Sequence, residues 1–324
     1  MTQSPSARPG EPALPDDIRL VDDLHLGRPH VIATYVLLGD EPVLVDPGPG
    51  STLETLEAGL AAHGLAGGDL RALLLTHIHL DHAGASGALV ARYPHLRVFV
   101  HERGAPHMIA PERLISSAAR LYGDEMERLW GEMRPVPESN ITVLEGGETL
   151  RLGGRTVRVF YAPGHAWHHV MYFDEATGAV FTGDVAGVRM PGSPYARPPT
   201  PPPDIDIEAW QRSLDTIRGL EPRLLLLAHF GPVYEPAGHI EAYRARLLRW
   251  AEFVREGLVG GADEATQIAR LQALADEELK AVAPPSLYDH YRQAAAVEQS
   301  WQGLARYWRK RAERDVPVLG KVEG

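Results

Sequence analysis

The chain has 324 residues, no cysteine and a formal net charge of −11. The absence of cysteine excludes disulfides, iron–sulfur clusters and cysteine nucleophiles, so any metal must be bound by nitrogen and oxygen ligands. The acidic charge argues against nucleic acids and anionic membranes as partners, because both attract basic surfaces. We therefore expect a small-molecule substrate, no nucleic acid and no membrane.

Residues 1–17 are rich in Pro, Ser and Gly. This composition predicts a flexible lead-in, and the lack of an apolar stretch there argues against a secretory signal peptide. The sequence also shows no run of the ~20 apolar residues that a membrane-spanning helix needs. Together with the absence of cysteine, these features lead us to expect a cytoplasmic protein.

The first third of the chain alternates short β-prone apolar runs with helical patterns. Such alternation predicts an α/β layered fold, in which helices cover a sheet. The predicted strands are residues 30–38, 41–46, 71–76 and 96–101. The predicted helices are residues 51–64 and 80–93.

The middle of the chain opens with a helical pattern over residues 103–135 that is rich in Met and aromatic residues. Gly-rich turns then break residues 141–164 into short β-prone runs, which predicts successive hairpins, and residues 170–185 predict another hairpin. A Pro-rich stretch over residues 189–204 predicts a stiff loop. The elements that follow are a helix over 205–219 and a buried strand over 223–229.

Strand signals stop after about residue 235, and three helical patterns follow. We therefore predict a main domain over residues 18–235 and a helical C-terminal region over residues 236–324. The aromatic residues of this region predict packing in a core or in a homodimer interface. The three helices are predicted over residues 237–258, 263–282 and 286–313.

The segment THIHLDH at residues 76–82 concentrates side chains that can bind a metal. His77 and His79 point to the same side of an extended strand end, because side chains alternate along a strand. Asp81 and His82 follow at the point where the chain turns into a helix. Imidazole and carboxylate groups suit Zn²⁺, Fe and Mn²⁺, so this segment predicts a metal site.

Three further candidate ligands each follow a predicted strand: His165 in APGH, Asp184 in TGD and His229 in AHFG. Small or turn-forming residues beside each one allow the backbone to come close to an ion. A single histidine after a strand is more often a capping or core residue. Together with residues 76–82, however, these three complete the ligands of two metal sites.

The motifs VDPGPG, THIHLDH, APGH, TGD and AHFG occur in the order typical of the metallo-β-lactamase superfamily, and the chain resembles that family over roughly residues 18–235. The resemblance implies a four-layer αβ/βα sandwich with a C-terminal helical appendage and with metals at one edge, between the two sheets. It also implies that Asp46 of VDPGPG orients the ligand loop. The ligand sets it implies are His77, His79 and His165 for one metal, Asp81, His82 and His229 for the other, and Asp184 as a bridge.

The H-x-H-x-D-H pattern is most similar to the glyoxalase II and ribonuclease Z branches of the family. The resemblance implies a hydrolase with two divalent metal ions, zinc first, with iron or manganese as alternatives. A metal-bridging hydroxide would attack a small acyl substrate, a thioester or a lactone ahead of a β-lactam. Asp184 and Asp81 would be the catalytic carboxylates, the first balancing charge as a bridge and the second orienting the nucleophile.

Two other functions occur on the same fold. An iron-dependent oxidoreductase such as a persulfide dioxygenase uses a single iron, so a complete two-metal ligand set counts against it. A phosphodiesterase similar to ribonuclease Z is disfavoured by the acidic net charge and by the lack of an evident basic arm.

Four further residues are candidates for substrate binding. Arg189 and Arg197 of the Pro-rich loop can hold a carboxylate or phosphate through paired hydrogen bonds. Tyr195 can donate a hydrogen bond to an oxyanion. His168, close to His165, is predicted either to contact the substrate or to pack between the sheets.

Overall fold

The computed structural model describes residues 13–315, so residues 1–12 of the predicted lead-in and 316–324 of the predicted C-terminal region lie outside the described residues. Two six-stranded sheets form the centre of this part of the chain. The first sheet contains β1 (Ile18–Asp22), β2 (Ala33–Leu37), β3 (Val43–Val45), β4 (Ala72–Leu74), β5 (Arg97–His101) and β6 (Ile141–Leu144). The second contains β7 (Thr149–Leu152), β8 (Arg155–Tyr161), β9 (Val170–Asp174), β10 (Ala179–Gly183), β11 (Leu224–Leu227) and β12 (Gly231–Val233).

Both sheets are mixed, and their strand directions gather several strand ends at one edge. The first sheet has the order β1-β2-β3-β4-β5-β6, with parallel pairing from β3 to β6. The second has the order β12-β11-β10-β9-β8-β7, and only its β10–β11 pair is parallel. At this edge the sheets are joined by the Val170 N–H, which donates to the Thr76 carbonyl at 2.7 Å. The carboxyl ends of β3, β4, β8, β10 and β11 therefore lie near one another.

The strands alternate between two apolar environments. On β11, Leu224 and Leu226 face the first sheet, whereas Leu225 and Leu227 pack under helices. Between the sheets, the rings of Tyr35 and Phe181 meet edge to face at 5.6 Å. Burial of both strand faces explains why these segments are nearly continuous apolar runs in the sequence.

Helices cover the outer face of each sheet. On the first sheet they are α1 (Leu53–Ala62), α2 (Leu80–Ala83), α3 (Ser86–Arg92), α4 (Ala105–Ile109), α5 (Glu112–Tyr122) and α6 (Met126–Trp130). The remaining helices are α7 (Ile207–Gly219), α8 (Pro236–Val259), α9 (Glu264–Lys280), α10 (Tyr288–Ala294) and α11 (Val297–Asp315). Short 3-10 helices occur at His25–Gly27, Gly50–Thr52, Gly67–Asp69, Gly123–Glu125, Glu138–Asn140 and Pro285–Leu287. The predicted four-layer α/β sandwich with C-terminal helices is confirmed.

The C-terminal helices share a core with the second sheet. Trp250 of α8 and Trp301 of α11 are fully buried, in the same apolar cluster as Leu225 and Trp210. Helix α10 instead packs through Tyr291 against Tyr195 of the Pro-rich loop. Within residues 13–315, no helix is long and apolar enough to cross a membrane.

Three predictions of local structure were wrong, and one strand was missed. Strands β6 and β7 do not form a hairpin, because β6 pairs with β5 in the first sheet while β7 belongs to the second. The helix predicted over 80–93 breaks into α2 and α3, and that over 286–313 breaks at Ala295, which adopts an extended conformation. Strand β1 was not predicted, although Ile18 and Leu20 carry the alternating apolar pattern.

Candidate metal centre

The seven predicted ligands lie together at the shared edge of the two sheets. Each follows the carboxyl end of a strand or starts the helix next to it, so strand direction brings together residues that are far apart in sequence. The loop after β4 supplies four of them, and the ends of β8, β10 and β11 supply one each. They fall into three overlapping groups whose ligand atoms lie within 4.8 Å of one another: His77, His79 and His165; His77, His82 and Asp184; and Asp81, His82 and His229.

The first group consists of three imidazoles. The Nε2 atoms of His77 and His165 each lie 3.0 Å from Nδ1 of His79. His77 and His165 are buried, and His79 is half-buried. Three nitrogens that converge at this spacing are typical of a site for one metal ion.

The third group, Asp81, His82 and His229, combines a carboxylate with two imidazoles. Oδ2 of Asp81 lies 3.3 Å from Nε2 of His229 and 3.7 Å from Nε2 of His82. The Asp81 side chain is 22% exposed, whereas His82 and His229 are buried. This group therefore opens toward solvent on the Asp81 side.

Asp184 lies between the first and the third of these groups. Its Oδ2 is 3.3 Å from Nε2 of His165, and its Oδ1 is 3.4 Å from Nε2 of both His82 and His229. The two carboxylate oxygens of Asp184 thus face two different groups. The backbone N–H of Asp184 donates to Nε2 of His169 at 3.2 Å, and this contact fixes the position of the carboxylate.

The hydrogen bonds made by the outward-facing histidine nitrogens show which inward-facing nitrogens are free to bind a cation. Nδ1–H of His165 donates to the Pro199 carbonyl at 2.9 Å, and Nδ1–H of His229 donates to the Val31 carbonyl at 2.7 Å. Each inward Nε2 is then left to bind a proton or a metal ion. Nε2 of His82 and Oδ1 of Asp184 are both buried without a hydrogen-bond partner. The donor set therefore fits metal ions with nitrogen and oxygen ligands.

One carboxylate, that of Asp46, orders the ligand loop. Its Oδ1 accepts the Thr76 N–H at 2.7 Å, and its Oδ2 accepts the Thr76 hydroxyl at 2.6 Å and Nδ1–H of His82 at 3.0 Å. The Thr76 oxygen in turn accepts Nδ1–H of His77 at 3.1 Å. Asp46 adopts a left-handed conformation with φ 50°, which aims its carboxylate into the loop. Asp46 thus stands where the sequence predicts a residue that orients ligands.

The electrostatics of the site favour bound positive charge. Burial lowers the pKa of His79 to about 3, so this imidazole is neutral at pH 7 and can act as a ligand. Burial also works to lower the pKa of His82, but the carboxylates of Asp81 and Asp184 outweigh it and raise that pKa well above its usual value. Burial works to raise the pKa of Asp184, but His229 and His82 hold it well below its usual range. Asp184 is therefore ionised at neutral pH.

Two of the predicted substrate residues are buried away from solvent. Tyr195 and Arg197 are both fully buried in this structure. The Tyr195 hydroxyl donates to Glu278 at 3.3 Å, and the Arg197 guanidinium donates to the Ala295 carbonyl at 3.3 Å. The Tyr195 hydroxyl and one guanidinium nitrogen of Arg197 thus bind the C-terminal region, whereas Nε and Nη2 of Arg197 are buried without a hydrogen-bond partner.

The other two predicted substrate residues lie closer to the ligands. His168 has its ring 5.5 Å from that of His79, and its Nδ1 accepts the Ile78 N–H at 3.4 Å. The Arg189 backbone N–H donates to the His229 carbonyl at 2.7 Å, but its guanidinium turns to the Ser193 carbonyl at 2.9 Å. His168 therefore borders the site, whereas the guanidinium of Arg189 binds Ser193 of its own loop and lies 3.9 Å from the Glu235 carboxylate.

The structure adds residues that the sequence analysis did not assign to the site. The buried ring of His25 stacks on Trp130 at 5.3 Å, and Trp130 meets Tyr122 edge to face at 5.1 Å. Burial lowers the pKa of His25 and raises the pKa of Tyr122. No spacing in the sequence indicates this, because His25 and Tyr122 come together only through the fold.

The fold and the cluster together define an α/β sandwich with a candidate metal centre at the edge between its sheets. The family model of the Metallo-beta-lactamase superfamily matches residues 27–229, and the chain belongs to this superfamily.

Relatives share this family with the chain at moderate identity. The metallo-beta-lactamase fold-containing protein ST1585 of Sulfurisphaera tokodaii is 29% identical over 209 residues, which are 63% of this chain and 75% of that protein. A hydroxyacylglutathione hydrolase of Synechococcus sp. is 30% identical over 118 residues, 36% of this chain and 35% of the relative. The atrochrysone carboxyl ACP thioesterase of Aspergillus fumigatus is 32% identical over 207 residues, 62% of this chain. The chain spans 51% of that thioesterase.

A solved structure extends the likeness into the C-terminal helices. The crystal structure of a metallo-beta-lactamase family protein from Thermus thermophilus, TTHA1429, has a TM-score of 0.69 at 25% identity. The match covers 93% of this chain and 95% of that one. The arrangement of the sandwich and the helices behind it is therefore shared with a known protein.

Proposed function

We propose that this chain is a binuclear metal-dependent hydrolase of a small acyl substrate, a thioester or a lactone. The observation that carries the proposal is the position of Asp184, whose two oxygens face two separate ligand groups at 3.3 and 3.4 Å. A carboxylate in this position can bind two cations at once, and the two groups supply the other ligands of each.

The residues divide into two ligand sets that share Asp184. His77, His79 and His165 would hold one ion, and Asp81, His82 and His229 would hold the other. Zinc is the ion we propose first, because imidazole nitrogen and carboxylate oxygen are ligands that it commonly takes. Bound divalent ions supply a Lewis acid for the substrate carbonyl and lower the pKa of a water molecule toward neutrality.

The two carboxylates perform different tasks because their exposure differs. The Asp184 side chain is 6% exposed and balances charge inside the site. The Asp81 side chain is 22% exposed and borders the opening, where its carboxylate can accept a hydrogen bond from the attacking water. Asp81 therefore orients the nucleophile, while Asp184 holds the two halves of the site together.

A thioester is the substrate class with the most support. Among the relatives, one is named a hydroxyacylglutathione hydrolase and another an ACP thioesterase. Both names describe hydrolysis of an acyl group from a carrier. We propose water as the nucleophile. A cysteine nucleophile is excluded, because the chain has no cysteine.

The test is hydrolysis of a thioester and lactone panel by the zinc-loaded protein and two variants. We expect His79→Ala and Asp184→Ala each to lower kcat/KM by roughly 10³-fold or more, because the metals supply several kcal/mol of transition-state stabilisation. The matched control is His95→Ala, a histidine bonded to the Leu70 carbonyl just before β5. Circular dichroism should show the same fold for all three variants.

Substantial activity in His79→Ala or Asp184→Ala would contradict the two-metal mechanism. Oxygen consumption with a persulfide would instead point to the dioxygenase, and cleavage of a phosphodiester to the nuclease.

A further inference from the structure

Helix α7 contacts the chain beside two of the candidate ligands, His165 and Asp184. Just before the helix, the Asp206 N–H donates to the Gly164 carbonyl at 2.9 Å. One turn further on, the ring of Trp210 meets that of His165 edge to face at 5.6 Å. A Cβ at Gly164 would stand 2.4 Å from the Cα of Trp210, so the helix packs directly on this backbone. The position of His165 is therefore tied to α7.

The turn that follows Asp184 is the second point of contact, and we define this Asp184 turn as residues 184–187. The Gly187 N–H closes it by donating to the Asp184 carbonyl at 3.0 Å. Inside the turn, the Val185 carbonyl accepts the indole N–H of Trp210 at 2.7 Å. Trp210 thus contacts the ring of one candidate ligand and the backbone directly after another.

Helix α8 of the C-terminal region holds the other side of the Asp184 turn. Nε2–H of His239 donates to the Ala186 carbonyl at 2.8 Å. Burial lowers the pKa of His239 to about 4, so the ring is neutral at pH 7 and its one proton lies on the donating nitrogen. The ring of Tyr243 covers Gly187, where an added Cβ would stand 2.3 Å from Cε2 of that ring. The turn therefore cannot shift without breaking contacts with two helices.

These contacts control a distance inside the candidate metal centre. Oδ2 of Asp184 lies 3.3 Å from Nε2 of His165, and both atoms face the same ligand group. Trp210 and His239 are buried, so a carbonyl that lost either donor would stay unpaired away from water, at a cost of about 1–3 kcal/mol. Their hydrogen bonds therefore hold the Asp184 turn in one position, and with it the distance between these two ligand atoms.

We propose that Trp210 and His239 are positioning residues, which hold the Asp184 carboxylate at the spacing from His165 that metal binding requires. The inference rests on the proposed function, because it requires the metal ions of that hydrolase. It goes further in making metal affinity depend on α7 and α8, which carry none of the seven candidate ligands. Helix α8 begins after residues 27–229, the part that the family model matches. The C-terminal region thus supports the metal centre.

The experiment compares Trp210→Phe with Trp250→Phe, which make the same change in the same apolar core. Each removes a fully buried indole N–H that donates a hydrogen bond, to the Val185 carbonyl in the first and to the Glu278 carboxylate at 3.1 Å in the second. Competition against a chelating zinc dye measures the zinc affinity. We expect Trp210→Phe to weaken zinc binding roughly 10- to 100-fold, and Trp250→Phe to bind zinc like the wild type.

Two variants at His239 separate its hydrogen bond from its packing. His239→Gln keeps an N–H donor for the Ala186 carbonyl, whereas His239→Leu fills the space without one. We expect His239→Leu to weaken zinc binding roughly tenfold and His239→Gln to bind zinc nearly as the wild type does. The visible spectrum of the cobalt-substituted protein reports the arrangement of the ligands. It should change in Trp210→Phe and His239→Leu but not in Trp250→Phe.

Urea unfolding shows which variants are folded, and if Trp210→Phe is not, the two His239 variants decide. Wild-type zinc affinity and cobalt spectra in folded Trp210→Phe and His239→Leu would overturn the proposal. Equal losses in Trp210→Phe and Trp250→Phe would also overturn it, because general loosening of the core would then explain the effect. If zinc binding weakens as expected but the wild type hydrolyses no acyl substrate, the positioning role stands and the proposed substrate class fails.

Discussion

At the scale of the residue, Asp46 shows how one side chain can arrange a site that it does not enter. Its carboxylate accepts three hydrogen bonds, two from Thr76 and one from His82, and through Thr76 it reaches His77. One buried carboxylate therefore sets the ring orientation of two candidate ligands. Outer partners of this kind commonly change metal affinity by one to two orders of magnitude.

We predict that Asp46→Asn weakens zinc binding roughly 10- to 100-fold, because an amide cannot accept all three hydrogen bonds. A competition titration against a chelating zinc dye measures this. Asp69→Asn is the control, since Asp69 only caps the Ala66 N–H at the opposite ends of the strands. Equal zinc affinity for Asp46→Asn and the wild type would show that Asp46 does not orient the ligands.

The candidate ligands could be read from the sequence because they stand in compact motifs at strand ends. The alternation of side chains puts His77 and His79 on one side, and this needs no knowledge of the rest of the fold. The contacts of Trp130 with His25 and Tyr122 could not be found in this way, since His25 is far from the other two in the sequence. The same reason explains why the burial of Arg197 could not be predicted, since its partner Ala295 is 98 residues away.

At the scale of the element, helix α11 is docked directly on the backbone of the Pro-rich loop. A Cβ at Gly303 would stand 2.0 Å from the Thr200 carbonyl oxygen, so only glycine fits at this crossing. The Thr200 hydroxyl donates to the Ser300 carbonyl at 3.1 Å beside it. This contact sets the position of α11 on the loop.

We predict that Gly303→Ala destabilises the protein by about 1–3 kcal/mol, because the loop backbone cannot give way without shifting the helix. Alanine favours a helix by about 1 kcal/mol over glycine, so the clash exceeds the net loss of stability by about that amount. The control is Gly219→Ala at the end of α7, where nothing lies within 4 Å of the added carbon. Urea unfolding compares the stability of the two variants. Equal unfolding midpoints would show that α11 does not dock tightly at Gly303.

Most elements could be predicted because both faces of the strands are buried and their apolar runs are distinct. The prediction of the β9–β10 hairpin was correct, since its strands pair with each other across a short turn. The error at β6 and β7 has a physical cause: the Gly146–Gly147 turn carries the chain from one sheet to the other. A Gly-rich turn looks the same in the sequence whether the following strand pairs locally or crosses to another layer.

At the scale of the whole molecule, the site lies where two separately packed halves meet. The first sheet and its helices supply His77, His79, Asp81 and His82, and the second sheet supplies the rest. The apolar core between the sheets holds the halves together through residues such as Tyr35 and Phe181. We infer that the fold forms without metal, and that bound ions then add to its stability by mass action.

The metal content of the purified protein tests the proposed two-metal site more directly than any activity. Elemental mass spectrometry measures it on protein prepared without added metal or chelator. We predict about two equivalents of zinc or manganese per chain, and far less in Asp184→Ala, whose bridging carboxylate is gone. About one equivalent of iron in the wild type, unaffected by Asp184→Ala, would contradict the two-metal site.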